Sequence, residues 1–149
     1  MESAIEKARK GLKKNNSPFG ACIVKNNKVI AVAHNTVLEE RDATNHAEIN
    51  AIRKACKRLR NHELKGCTIY STTEPCPMCF SAIHWAKISQ IVFGTRIRDV
   101  RKLGFNELPI SASVMKLKGR SPVKITPDFM RKECVELLES WKKKKGKTY

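Results

Sequence analysis

The sequence has no hydrophobic run approaching the roughly 18 residues that a membrane-spanning helix needs. Met1 to Lys14 mixes Glu with Lys and Arg where a secretion signal would be uniformly apolar. These absences predict a cytoplasmic protein with no membrane partner. Aromatic residues are only 6% of the chain, which argues against a platform for stacking the successive bases of a single strand. With Gly 7 and Pro 6 the chain is neither collagen-like nor low-complexity. Acidic residues are also scarce, 14 against 30 Lys and Arg, and the resulting net charge of +16 raises the prospect of RNA or another polyanion as a partner. What remains is 149 residues, 41% of them hydrophobic, enough for one globular domain with a core and too few for two ordinary ones. Six cysteines without a secretion signal read as reduced thiols or metal ligands, not as a disulfide framework.

Along the chain, Ile5, Ala8 and Leu12 recur at helical spacing within Ala4 to Lys14, before Asn15-Asn16-Ser17-Pro18 stops the pattern. Phe19–Val24 and Val29–Ala33 are short β-branched segments joined through Asn26-Asn27, a pair that tolerates the positive φ of a hairpin turn. Asn45 is placed to cap a helix from His46 to Cys56 whose small residues Ala47, Ala51 and Ala55 share one face. Cys67–Thr72 reads as a buried strand running into a helix opened by Pro77 and ending near Ala86. Gln90–Phe93 and Val123–Ile125 read as further strands. Arg96 to Arg120, with Gly104, Pro109 and Gly119, reads as a loop-rich flap or edge. Thr126 as N-cap, Pro127 as first helical residue and Asp128 in the first turn open a last helix that runs out in lysines. The expected fold is α/β: three layers, helix–sheet–helix, around a mixed sheet of about five strands.

The chemistry is concentrated in two short motifs. His46-Ala47-Glu48 is followed by Pro75-Cys76-Pro77-Met78-Cys79, the H-x-E…P-C-x-x-C signature of zinc-dependent nucleobase deaminases. Cys76 and Cys79 flank a helix start, so both sulfurs can face one point and the positive helix end favours their thiolate forms. His46 closes the set. Three protein ligands leave the fourth position of a tetrahedral zinc ion for water, as in a catalytic site, and zinc lowers the pKa of that water toward about 7. Glu48 cannot share the metal but can reach the water, which makes it the candidate proton shuttle of the attack by zinc-bound hydroxide. No second C-x-x-C or His pair is spaced for a closed structural site, and His34, His62 and His84 read as surface or satisfied histidines. Cys22, Cys56, Cys67 and Cys134 lie in apolar segments and read as small buried hydrophobes.

These motifs, with Pro18-Phe19-Gly20-Ala21 before them and Ile83-His84-Trp85-Ala86 after, make the chain resemble the cytidine deaminase-like superfamily over nearly its whole length, and within it the bacterial-type guanine deaminases. The resemblance implies hydrolysis of the C–N bond of a cyclic amidine, most simply guanine to xanthine and ammonia, by a homodimer. It also implies substrate contacts from Asn35, the Ala47 amide, Phe19, Trp85, Glu107 and Tyr149. In bacterial members the C-terminal tail closes over the pocket, in some from the partner subunit. The expectation here is a single domain over 1–149 whose last helix and tail, 127–149, cover the active site, with exchanged tails as a variant.

The high positive charge is not part of that resemblance and keeps RNA in play. The tRNA adenosine deaminases share H-A-E and P-C-x-x-C, form homodimers and need a basic surface, although they usually carry P-V-G-A where this chain has P-F-G-A. A third reading is a catalytically idle zinc-containing RNA-binding domain using Arg96, Arg98, Arg101, Lys102 and the Lys142–Lys145 run. The intact Glu48 argues against it, because a binding module has no use for a proton shuttle.

Overall fold

The computed structural model describes residues 1–149. Its centre is a five-stranded sheet of order β2-β1-β3-β4-β5, formed by β1 (Gly20–Lys25), β2 (Lys28–His34), β3 (Cys67–Thr73), β4 (Gln90–Thr95) and β5 (Lys124–Thr126). β1 is antiparallel to β2 and β3, and β3, β4 and β5 run parallel, so the sheet is mixed as expected. The hairpin turns where the sequence places it, with Asn26 at φ 49° and Asn27 at φ 57°.

Two helix layers cover the sheet. α1 (Glu2–Leu12) lies so close to β1 that a Cβ on Gly20 would stand 2.1 Å from the Ala4 carbonyl oxygen. α7 (Arg131–Lys143) packs beside α1 and against β4. The opposite face carries α3 (Ala47–Leu59), whose Ala47, Ala51 and Ala55 are all fully buried, and α4 (Pro77–Trp85) next to it. An all-alanine face lets α3 approach β1 and β2 closely, and that fixes where its N-terminus ends up. The core holds Ile23, Ile69, Ile91 and Phe93 from the strands with Leu137 and Trp141 from α7.

Several expectations need correction. Asn45 is not the cap of α3: His46 holds the N-cap position, and the Asn45 side chain bonds Glu40 and Arg53 instead. The span from Arg96 to Arg120 is not all flap, since it contains α5 (Ile97–Arg101) and α6 (Ala112–Lys118), and a one-turn helix α2 (Val37–Glu40) precedes α3. Their lengths are below what periodicity can detect. The last helix begins later than its turn chemistry suggests. Thr126 stays in the sheet opposite Val92, and the Phe129 N–H donates to the Phe93 carbonyl at 2.9 Å. Asp128 pairs with Arg96, and both Asp128 and Met130 take left-handed φ before the helix starts. Extension of the sheet edge overrides the Thr-Pro-Asp signal. Cys22, Cys67 and Cys134 are buried as expected, whereas Cys56 is only half-buried.

Candidate active site

Two helix N-termini converge at one end of the central strand β3. His46 occupies the N-cap of α3, and Cys76 occupies the N-cap of α4 with Pro77 behind it and Cys79 in the first turn. The His46 Nδ1 lies 3.7 Å from Cys76 Sγ and 3.6 Å from Cys79 Sγ, and the three donor atoms fall within 4.8 Å of one another. Tetrahedral zinc, with bonds of about 2.3 Å to sulfur and about 2.0 Å to nitrogen, requires a nitrogen–sulfur separation of about 3.5 Å. The donor set fits that ion almost without rearrangement.

The local electrostatics suit a cation. A hydrogen bond from Cys79 holds the Cys76 thiol down at about 4 against the cost of burial, with His46 adding to the effect. The same bond and burial keep the Cys79 thiol well above the ordinary range, so the pair gives up its first proton readily and its second only to a cation. Burial alone would lower the His46 pKa, but Cys76 and Glu48 hold it above the usual imidazole value. Glu48, in the first turn of α3, is buried, and burial followed by the charge of Cys76 pushes its carboxyl up, against the pull of His46 and Ser71.

A second group of residues comes from more distant parts of the chain. The Asn35 carboxamide is fully buried and oriented: its Oδ1 accepts from Val37 N–H at 3.1 Å, and its Nδ2 donates to Tyr149 Oη at 2.7 Å. Tyr149 Oη also lies 3.4 Å from His46 Nε2, the ring nitrogen turned away from the cysteines. In the single chain the tail reaches that chain's own site. It turns at Gly146, where a Cβ would stand 2.1 Å from Trp141 Nε1. The Phe105 ring meets Trp141 at 4.9 Å, Phe19 at 5.0 Å and Tyr149 at 5.7 Å between centroids, so Phe19 touches this region through Phe105. Glu107, with His46, Phe105, Asn106 and Tyr149, lines a cavity of about 210 Å³. Burial and then the charge of Cys76 push its carboxyl up to about 7. Ala47 is the first residue of α3, so its N–H has no acceptor within the helix.

Trp85 is not brought to this place. It is 79% exposed at the far end of α4 and lines a separate surface cavity with Lys65, Lys87 and Lys124. The structure also adds residues that the sequence reading did not single out. The Ser71 hydroxyl donates to Glu48 Oε1 at 2.8 Å. The Glu74 carboxylate accepts from Ile97 N–H at 3.1 Å and Ala112 N–H at 2.9 Å, tying the segment before Cys76 to α5 and α6. Phe105 and Trp141 form the aromatic seat of the tail. A hydroxyl at an inward position of a buried strand was the one visible signal for Ser71. Phe105 belongs to the Gly104-Phe105-Asn106-Glu107 turn that carries part of the resemblance, whereas nothing local marks Trp141 as more than a core aromatic.

Comparison with known proteins agrees with this geometry. Residues 1–95 match the family described as the cytidine and deoxycytidylate deaminase zinc-binding region. The guanine deaminase of Bacillus subtilis is 44% identical over 90 residues, which cover 60% of this chain and 58% of that protein's length. The tRNA-specific adenosine deaminase of Buchnera aphidicola (subsp. Schizaphis graminum) is 33% identical over 145 residues, 97% of this chain and 93% of that one. The structure of NE0047 in complex with 2,6-diaminopurine superposes with a TM-score of 0.88 at 28% identity, covering 99% of this chain and 82% of that one. The chain belongs to the cytidine and deoxycytidylate deaminase zinc-binding family, and zinc is the metal that its His46–Cys76–Cys79 set is built to hold.

Proposed function

We propose that, within this family, the chain hydrolyses the exocyclic amine of a free purine base, guanine to xanthine and ammonia. The observation that carries this reading is the Tyr149 hydroxyl seated between Asn35 and His46. A tail in that position lies across the site and lines a cavity of about 210 Å³, below the range of about 300–1,000 Å³ usual for drug-sized ligands and of a scale for a base without its ribose-phosphate. The likeness to the B. subtilis guanine deaminase and to a purine-bound structure supports the same substrate class.

Zinc, when held by His46, Cys76 and Cys79, acidifies a water and so supplies a nucleophile at neutral pH. The remaining work falls to the chain. Glu48 takes one proton from the water as its oxygen bonds to the carbon bearing the amino group, and passes that proton to the adjacent ring nitrogen. It then carries the second proton to the amine as the C–N bond breaks, so that water adds, ammonia leaves and the carboxylate is regenerated. Asn35 Nδ2 donates to the base once Tyr149 Oη yields the position, the Ala47 N–H is available to a ring carbonyl, and the Glu107 carboxylate accepts from ring and amino N–H groups. Phe105 and Phe19 supply the apolar wall.

A second reading, deamination of adenosine in tRNA, is favoured by the net charge of +16 and by the near full-length likeness to the Buchnera enzyme. The two are separated by ammonia release from purified protein supplied with guanine, adenine, cytosine, their nucleosides and tRNA. Guanine alone should respond; release from tRNA alone would overturn the free-base reading. A homodimer belongs to the same proposal and is checked by sedimentation equilibrium.

A further inference from the structure

Along β3 the row that faces α3 begins apolar and turns polar toward its end, at Ser71 and Thr73. Cys67 and Ile69 are fully buried in that row, and Ser71 continues it at 1% exposure. Ser71 is also held rigidly, paired with Ala21 on one side and Phe93 on the other, in the strand that joins the antiparallel and parallel halves of the sheet. A hydroxyl this deep needs a partner. Its only one is Glu48, whose Oε1 accepts from Ser71 Oγ at 2.8 Å.

The two oxygens of Glu48 therefore have different surroundings. Oε1 is tied to the central strand, whereas Oε2 lies 3.5 Å from Cys79 Sγ, on the side of the ligand cluster. Besides its own backbone N–H, the other hydrogen-bonding group on this carboxylate is the Cys79 thiol, and a cysteine that ligates a metal has no proton left to give. Ser71 is then the one anchor that another residue gives to a side chain with three rotatable torsions. The anchor survives every stage of a proton cycle, because Oε1 accepts from a hydroxyl whether Oε2 is ionised or protonated.

We infer that Ser71 is a positioning residue for Glu48: its hydroxyl holds Oε1 so that Oε2 alone faces the reacting water and base. This rests on the reading of Glu48 as proton carrier and goes beyond it by assigning the two oxygens separate tasks. Apolar packing alone would be served equally well by a residue of the same shape without the hydroxyl.

The test uses that distinction. Ser71→Thr and Ser71→Val add the same methyl group and differ only in hydroxyl against methyl. In zinc-loaded full-length protein assayed with guanine, Ser71→Thr should stay within about twofold of the parent, and Ser71→Val should lose about tenfold in kcat, the scale expected of a mispositioned catalytic group. KM, the Kd for xanthine measured by calorimetry and the zinc content should not move. In a Glu48→Gln background, measured by single turnover at high enzyme concentration, Ser71→Val should cause no further loss. Equal activity of the Thr and Val variants, an equal loss from Ser71→Val with and without Glu48, or a loss explained by missing zinc or a raised KM would overturn the assignment. Should Ser71→Val fail to fold, Ser71→Ala takes its place under the same criteria. Near-normal turnover by Glu48→Gln alone would instead remove the proton-carrier reading, so the two failures are distinct.

Discussion

The site has two halves with different origins. The metal half, His46, Glu48, Cys76 and Cys79 with Ser71 beneath them, is built from the first turns of two helices and the central strand, all within the 1–95 region that matches the family. The proposed substrate half, apart from Asn35, Ala47 and Phe19, is built from residues beyond it: Phe105 and Glu107 from a loop, Trp141 from α7, and Tyr149 from the tail. The first half is set by local helix and strand geometry, and the second is a cover assembled from long-range contacts. Relatives of this chain include both guanine and tRNA adenosine deaminases, and a shared metal frame can serve either substrate, because discrimination rests on the contacts made to the base.

Removing a ligand from the metal half should have the largest effect. His46→Ala, Cys76→Ala or Cys79→Ala should each abolish both zinc retention and activity, since two remaining ligands do not hold the ion. Metal analysis after dialysis checks this, and a metal-free variant with full activity would break the assignment. Glu48→Gln comes next, with zinc content and thermal unfolding preserved and turnover reduced on the order of 10²-fold or more. Together the two results would show that binding the metal and moving the proton are separable tasks within one half.

The same division governs how much could be read from sequence. The ligands and Glu48 sit in short motifs where helical geometry converts spacing directly into proximity, so His46-Ala47-Glu48 and Cys76-Pro77-Met78-Cys79 were legible without any knowledge of tertiary contacts. The five strands and the Asn26-Asn27 turn were legible for the same local reason. Asn35, Glu107 and Tyr149 came from family resemblance, and the structure does gather all three around His46. Trp85 came from it as well, and the single chain leaves that ring in solvent. Ser71 stayed hidden because its partner is 23 residues away in sequence and the pairing depends on which face of β3 meets α3. The start of α7 was misjudged because the local Thr126-Pro127-Asp128 signal yields to strand pairing at Val92 and Phe93.

Cutting away Lys147 to Tyr149 tests the cover without touching the frame. Zinc content and fold should be unchanged, and guanine turnover should fall by about tenfold, because a sealed site both positions the base and excludes bulk water. The Tyr149–Asn35 bond gives the experiment a second arm. If Tyr149 only blocks the amide that the base needs, truncation should raise turnover instead, and the tail would then be a plug and not a lid. Unchanged guanine turnover would remove both roles and shift the substrate assignment toward RNA.

The smallest effect is expected from the lysines that lead into the tail. Lys142, Lys143, Lys144 and Lys145 are exposed, and none takes part in any of the molecule's ion pairs. Their charge therefore enters the fold only through Lys142 and Lys143, which face the negative end of the α7 dipole. What could depend on it is a polyanion lying beside the tail, since each phosphate neutralised contributes a slope of about 0.9 for duplex, or about 0.7 for single strands, to the fall of log affinity with log salt concentration. Replacing all four by Gln should leave guanine turnover within about twofold of the parent, because the contacts that seat the tail are made by Gly146 on Trp141 and by Tyr149 on Asn35. If the basic surface serves RNA, the same variant should bind a tRNA stem-loop more weakly and with a salt slope lower by up to about 3.6. A salt slope that does not change would assign the charge to solubility, and a loss of guanine turnover as large as that of the truncation would mean that the lysines, and not the aromatic seat, hold the cover in place.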